Sequence, residues 1–125
     1  MKFAKYTFLV AGIYGLIALL PQYFLETNLR GSASGAQHPE FYYGFIGVAV
    51  AFQLVFIVIS RDPARYRALI LPSIVEKYSF VIAAVVLEMQ GRIAPEMFAG
   101  AMVDAVLGLL FAISWFKSAP NRSTT

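Results

Sequence analysis

Asp104 is the only charge in the run from Met97 to Phe116, and that isolation is the first chemical signal in the chain. It falls near the middle of a segment long enough to cross a bilayer, where an aspartate costs about 2.5 to 3.5 kcal/mol on insertion scales. A carboxyl at that depth must face protein, water or a ligand rather than lipid. Gly100, Asp104 and Gly108 follow one another at i, i+4 and i+8, so the carboxyl is bracketed on one helix stripe by residues without side chains. Another backbone or a small molecule can approach closely there. Two readings follow: a functional carboxyl, or a packing stripe with an interhelical hydrogen bond from Asp104.

Glu76 and Lys77 form the second cluster, four and five residues after Pro72. Lys77 is long enough to snorkel toward headgroups, whereas the shorter Glu76 is expected to turn into a helical bundle. Gln53 lies about 12 Å from the near end of its own apolar segment by helix rise, a depth similar to that of Glu76. Tyr14 and Tyr78 add hydroxyls. Together Tyr14, Gln53, Glu76, Tyr78 and Asp104 define an expected polar pocket for a small lipid- or quinone-like ligand, or a proton-coupled transport site around Asp104 and Glu76. Glu88 and Arg92 read as an exposed i, i+4 ion pair worth little. His38, Glu40 and Glu96 stand at helix starts, where capping accounts for the glutamates, and no metal site is assigned.

These residues must be positioned by an apolar chain. Of 125 residues 59% are hydrophobic and 14% charged, against roughly a quarter charged in soluble domains. Mean hydropathy is +0.69. The apolar content excludes intrinsic disorder, and the absence of Cys excludes a disulfide scaffold and Cys-ligated zinc or iron–sulfur centres. A polytopic all-α membrane protein remains, with spans expected at residues 6–25, 41–60, 72–90 and 96–116 in a single transmembrane four-helix bundle. Pro21 should end the first regular helix, leaving Gln22, Tyr23 and Phe24 at the interface. Trp115, Phe116 and Lys117 form an interfacial anchor at the end of the fourth span.

Lys and Arg set the orientation. Lys2, Lys5, Arg61, Arg65, Arg67, Lys77, Lys117 and Arg122 fall on one side and only Arg30 and Arg92 on the other, so both termini are expected to be cytoplasmic. The formal charge of +3 then reflects topology, without a nucleic-acid partner. Lys2 and Lys5 before an apolar run also fit a signal peptide, with Ser34-Gly35-Ala36 as small residues at a cleavage site; an uncleaved anchor is preferred because that site lies far beyond Leu20. Gly31–Ala36 then reads as a loop tip, and the Asn121-Arg122-Ser123 glycosylation triplet falls on the wrong side of the membrane.

Prolines mark helix starts at Pro39-Glu40, Pro95-Glu96 and Asp62-Pro63. After Asp62-Pro63 two readings stay open: a short basic surface helix over Pro63–Leu71 followed by the span, or one helix kinked at Pro72. Laying Pro39 on Pro95 matches Glu40, Gly44, Ala49, Val50, Leu54 and Ile57 with Glu96, Gly100, Ala105, Val106, Leu110 and Ile113. This fits a parallel repeat of two-helix units or shared helix-start chemistry. Gly12/Gly15, Gly44/Gly47 and Gly100/Gly108 supply small faces for helix packing, within the bundle or against another subunit.

The Gly12-Ile13-Tyr14-Gly15 run, a Pro near the end of the first span, a short outer loop and the basic Arg61-Asp62-Pro63-Ala64-Arg65-Tyr66-Arg67 turn resemble small bacterial DoxX-like proteins. The sterol-binding EXPERA bundles have a similar layout. The DoxX-like resemblance implies a four-helix inner-membrane protein, in some cases associated with membrane oxidoreductases, and transfers no functional residue. The leading expectation is an accessory or structural subunit, embedded in the lipid bilayer and packing with a membrane-protein partner or a second copy. The competing expectation is the ligand or proton-coupled site around Asp104 and Glu76. A membrane enzyme is the weakest reading; no catalytic residue is assigned, and such an enzyme needs a quinone, haem or lipid brought to it.

Overall fold

The computed structural model describes residues 2–24 and 39–119, and these are helical, with no strand among the described residues. Helix α1 spans Lys2–Leu19 and runs on as a 3-10 segment over Leu20–Phe24. Helix α2 spans Pro39–Arg61, α3 Ile70–Met89 and α4 Pro95–Lys117, with a 3-10 turn over Arg67–Leu69 leading into α3. The loop readings at Arg30, Ser34-Gly35-Ala36, Gly31–Ala36 and His38, and the Asn121-Arg122-Ser123 triplet, lie outside the described residues.

Each of the four helical stretches is 23 residues long, about 35 Å of helix, and apolar enough to cross a membrane. Only 22–33% of each apolar window is buried within the chain. The remainder, including Ile17, Val48, Val75 and Ile82, faces outward, as a lipid-embedded bundle requires. The chain is a four-helix multi-pass membrane protein.

The boundaries explain themselves chemically. Pro39 and Pro95 begin α2 and α4, where a missing N–H costs nothing, and Glu40 and Glu96 place carboxylates in the first turns. Pro21 sits in the 3-10 segment, so the regular helix α1 stops at Leu19. Pro72 lies in the first turn of α3, among the N–H positions that have no intrahelical acceptor. It therefore breaks no hydrogen bond of the helix, and with a turn at 63–66 and a 3-10 segment at Arg67–Leu69 neither alternative for residues 63–71 holds. Residues 63–66 form a turn on Asp62, whose carboxylate accepts from the Arg65 N–H at 3.3 Å, and the 3-10 turn follows. At its far end α3 closes on Gly91 with φ 68°, the Arg92 N–H reaching the Leu87 carbonyl at 2.8 Å and the Gly91 N–H the Glu88 carbonyl at 3.0 Å. The helix stops before Arg92, so the i, i+4 geometry expected with Glu88 does not form; Arg92 donates to Gln90 Oε1 at 2.9 Å instead.

Helices α1 and α2 form one closely packed hairpin and α3 and α4 another; α1 also meets α4, while α2 barely touches α3. Glycines set the first hairpin. A methyl group at Gly12 would lie 2.7 Å from Ile57 and 2.9 Å from the Gln53 carbonyl oxygen, and one at Gly15 would collide with the Gln53 side chain. Gly47 stands near Tyr23, whereas Gly44 and Gly100 have nothing within 4 Å, so neither packs a helix within this chain.

The hairpins are joined at the end holding the start of α1 and the end of α4. Phe8 stacks on Phe111 with ring centroids 4.2 Å apart, and Phe56 meets Phe111 edge-on at 4.9 Å. Ala11, Ile59, Ile70 and Leu107 complete this core. At the same end the Arg67 guanidinium lies 3.4 Å from the Trp115 ring centroid and donates to the Trp115 carbonyl at 3.0 Å. A cation thus meets both an aromatic face and the negative end of α4.

Candidate functional site

Beyond the phenylalanine core the helices part around a cavity of about 540 Å³. It takes lining from all four: the last turns of α1, the first two-thirds of α2, the middle of α3 and the first half of α4. The cavity therefore occupies the half of the bundle opposite the Phe8–Phe56–Phe111 core. Its walls are largely apolar, with Phe45 of α2 and Phe80 of α3 tilted against each other at 6.1 Å across the seam between the hairpins.

Its deepest part is charged. Lys77 Nζ donates to Asp104 Oδ1 at 3.1 Å and lies 3.8 Å from Glu76 Oε2, with its side chain 4% exposed. Its ammonium is also 5.1 Å from the Phe56 ring centroid, so the cluster rests directly on the aromatic core. Lys77 does not snorkel, contrary to the sequence-based expectation. It falls on the inward stripe Ile70, Ser73, Lys77, Val81 and Ala84, spaced three and four residues apart. From that stripe the ammonium faces α4, and Asp104 gives it a partner close by that a headgroup would not supply at this depth.

Gly108 makes the arrangement possible. A methyl group there would lie 2.7 Å from the Tyr78 ring and 3.3 Å from Lys77 Cβ, so the bare backbone of α4 receives both side chains. Tyr78 donates its hydroxyl to the Ala105 carbonyl at 3.0 Å and is not part of the cavity lining. The expected stripe around Asp104 therefore splits: Gly108 is a packing position, and Gly100 opens into the cavity with room beside it.

Gln53 is 2% exposed and also lines the cavity. Its Nε2 donates to the Ala49 carbonyl at 2.8 Å, while its Oε1, against Gly15, has no donor. Glu76 Oε2 is likewise buried without a hydrogen-bond donor. Of the five side chains expected to share a pocket, Tyr14, Gln53, Glu76 and Asp104 line one cavity and Tyr78 turns away from it. The residue that sequence reasoning missed is Lys77. The clue available was its phase with Ser73 and Ala84, small residues on the same face of α3.

The arrangement can hold a molecule by its apolar body and meet one polar group at the deep end. No cluster of three side chains able to hold a metal occurs among the described residues. No protein-family model, curated protein or solved structure matches the chain.

Proposed function

We propose that this protein is a small-ligand-binding membrane protein, whose cavity takes a small amphipathic molecule dissolved in or partitioned from the bilayer. The observation that carries the reading is the position of an apolar-walled cavity of about 540 Å³ over a cluster of three charges, a buried lysine between two half-buried carboxylates. That volume lies within the range of roughly 300 to 1,000 Å³ typical of small-molecule sites, and such sites combine apolar walls with a few placed polar groups. Three charges near the middle of membrane-spanning helices are expensive to keep and mark a functional site by default. Part of the cluster is structural, since the Lys77–Asp104 pair also ties α3 to α4. Glu76 has no such structural partner beyond the longer contact to Lys77.

The membrane is read as a bacterial inner membrane, with both termini and the basic 61–67 turn in the cytoplasm, on the strength of the Lys and Arg distribution and the DoxX-like layout. In that orientation the cavity faces the outer leaflet. A second reading, an accessory subunit packing against a membrane partner or a second copy, is favoured by Gly44. It is exposed on α2 with nothing within 4 Å and would admit a close approach by another helix.

Native mass spectrometry of protein extracted gently from its own membrane tests both. The expected result is a retained small molecule at one copy per chain that is lost in Gly100→Leu, which fills the cavity from a position with free space. A stoichiometric protein partner with no small molecule would favour the accessory reading instead. A bare chain in the wild type refutes the ligand-binding reading.

A further inference from the structure

The charge balance of the cavity narrows its ligand, an inference that rests on the ligand-binding reading above. Among the described residues its charged lining consists of Glu76, Asp104 and Glu96 against Lys77 alone. Lys77 is 3% exposed and its ammonium is already engaged by Asp104 at 3.1 Å and Glu76 at 3.8 Å. An anionic headgroup entering the cavity would therefore meet carboxylates and find no free cation among the described lining residues. A quinone offers only acceptors to a deep end whose open positions are themselves acceptors. Glu76 Oε2, without a donor, points the same way: the cluster lacks positive charge, not negative.

An uncompensated negative charge near the middle of a bilayer is costly and is neutralised by a proton or by a cation. A proton alone needs no cavity. About 540 Å³ of space with Tyr14, Phe45 and Phe80 in its walls suits a larger body, and aromatic faces attract cations. We infer that the cavity binds a lipophilic organic cation, its positive centre against the carboxylates of Glu76 and Asp104 and its apolar body between Tyr14, Phe45 and Phe80.

The test uses the full chain in nanodiscs of zwitterionic lipid and equilibrium dialysis with two probes of matched shape, the cation methyltriphenylphosphonium and the uncharged triphenylphosphine oxide. Saturable one-to-one binding of the cation is expected, at least tenfold tighter than that of the oxide. Glu76→Gln and Asp104→Asn should each weaken cation binding about tenfold or more while changing oxide binding little. Gly100→Leu should abolish saturable binding of the cation. If both probes bind alike, are lost in Gly100→Leu and ignore the carboxylate variants, the cation inference is overturned and the cavity reading stands. If neither probe binds saturably, or if Gly100→Leu leaves cation binding intact, the cavity falls as a site for these molecules and the inference falls with it.

Discussion

Replacing Lys77 by Met keeps most of the aliphatic stem and removes only the ammonium, so it isolates the charge. At an effective dielectric constant near 20, a pair at 3.1 Å attracts by roughly 5 kcal/mol, and Glu76 at 3.8 Å adds a somewhat smaller share. Much of that repays the desolvation of the three groups, but deleting one partner leaves that cost without return, and breaking buried pairs typically destabilises by about 3 to 5 kcal/mol. Lys77→Met should lose about that much, because it leaves two carboxylates facing each other. Asp104→Asn should cost less, since Lys77 keeps Glu76 and can still donate to the amide oxygen. The double variant Lys77→Met/Asp104→Asn should then be more stable than the sum of the single losses by about 1.5 to 3 kcal/mol. Equilibrium unfolding in mixed micelles with rising dodecyl sulfate, followed by circular dichroism, measures all four corners of the cycle. A Lys77→Met protein within about 0.5 kcal/mol of wild type, or losses that add to within that figure, would refute the buried pair.

Three further outcomes follow from the packing. Gly12→Ala should destabilise by about 1 to 3 kcal/mol because its methyl group meets Ile57 and the Gln53 backbone, whereas Gly44→Ala should be neutral; equal effects in the same unfolding assay would contradict the α1–α2 interface. Phe111→Ala should cost about 3 to 5 kcal/mol by emptying the centre of the ring stack, and a loss below about 1 kcal/mol would place the core elsewhere. Gly91→Ala should lose about 1 to 2 kcal/mol from its positive φ, with Gly91→Asn losing less, and the reverse order would exclude the left-handed cap on α3.

The helices were legible because their cause is local. Uncharged runs of about 20 residues announce spans, and Pro39 and Pro95 announce starts, whatever the rest of the chain does. Span edges moved by a few residues where charges were read as stops: Lys2 and Lys5 lie inside α1, since lysines at a helix end can reach the interface without ending the helix. Asp104 was legible as an inward residue because lipid leaves it no other choice. Lys77 was not, because a lysine has two ways out of lipid, a headgroup or a buried carboxylate, and the choice depends on how α3 is rotated against α4. That rotation rests on Gly108 receiving Tyr78 and Lys77, a contact between residues about 30 positions apart that no local pattern displays. The same dependence separates Gly100 from Gly108, equivalent in sequence spacing and opposite in surroundings.

The three packed phenylalanines also bear on permeation. They fill the bundle on one side of the charge cluster, while the cavity occupies the other, so the proposed ligand would reach its site from one side only. On the proposed ligand-binding reading, a bound molecule would exchange with a single leaflet, and its occupancy would follow the concentration there, indifferent to the concentration across the membrane. Net flux would require Phe8, Phe56 and Phe111 to separate, breaking the contacts that join the two hairpins, so the same rings set both the cohesion of the bundle and the height of the barrier to crossing it.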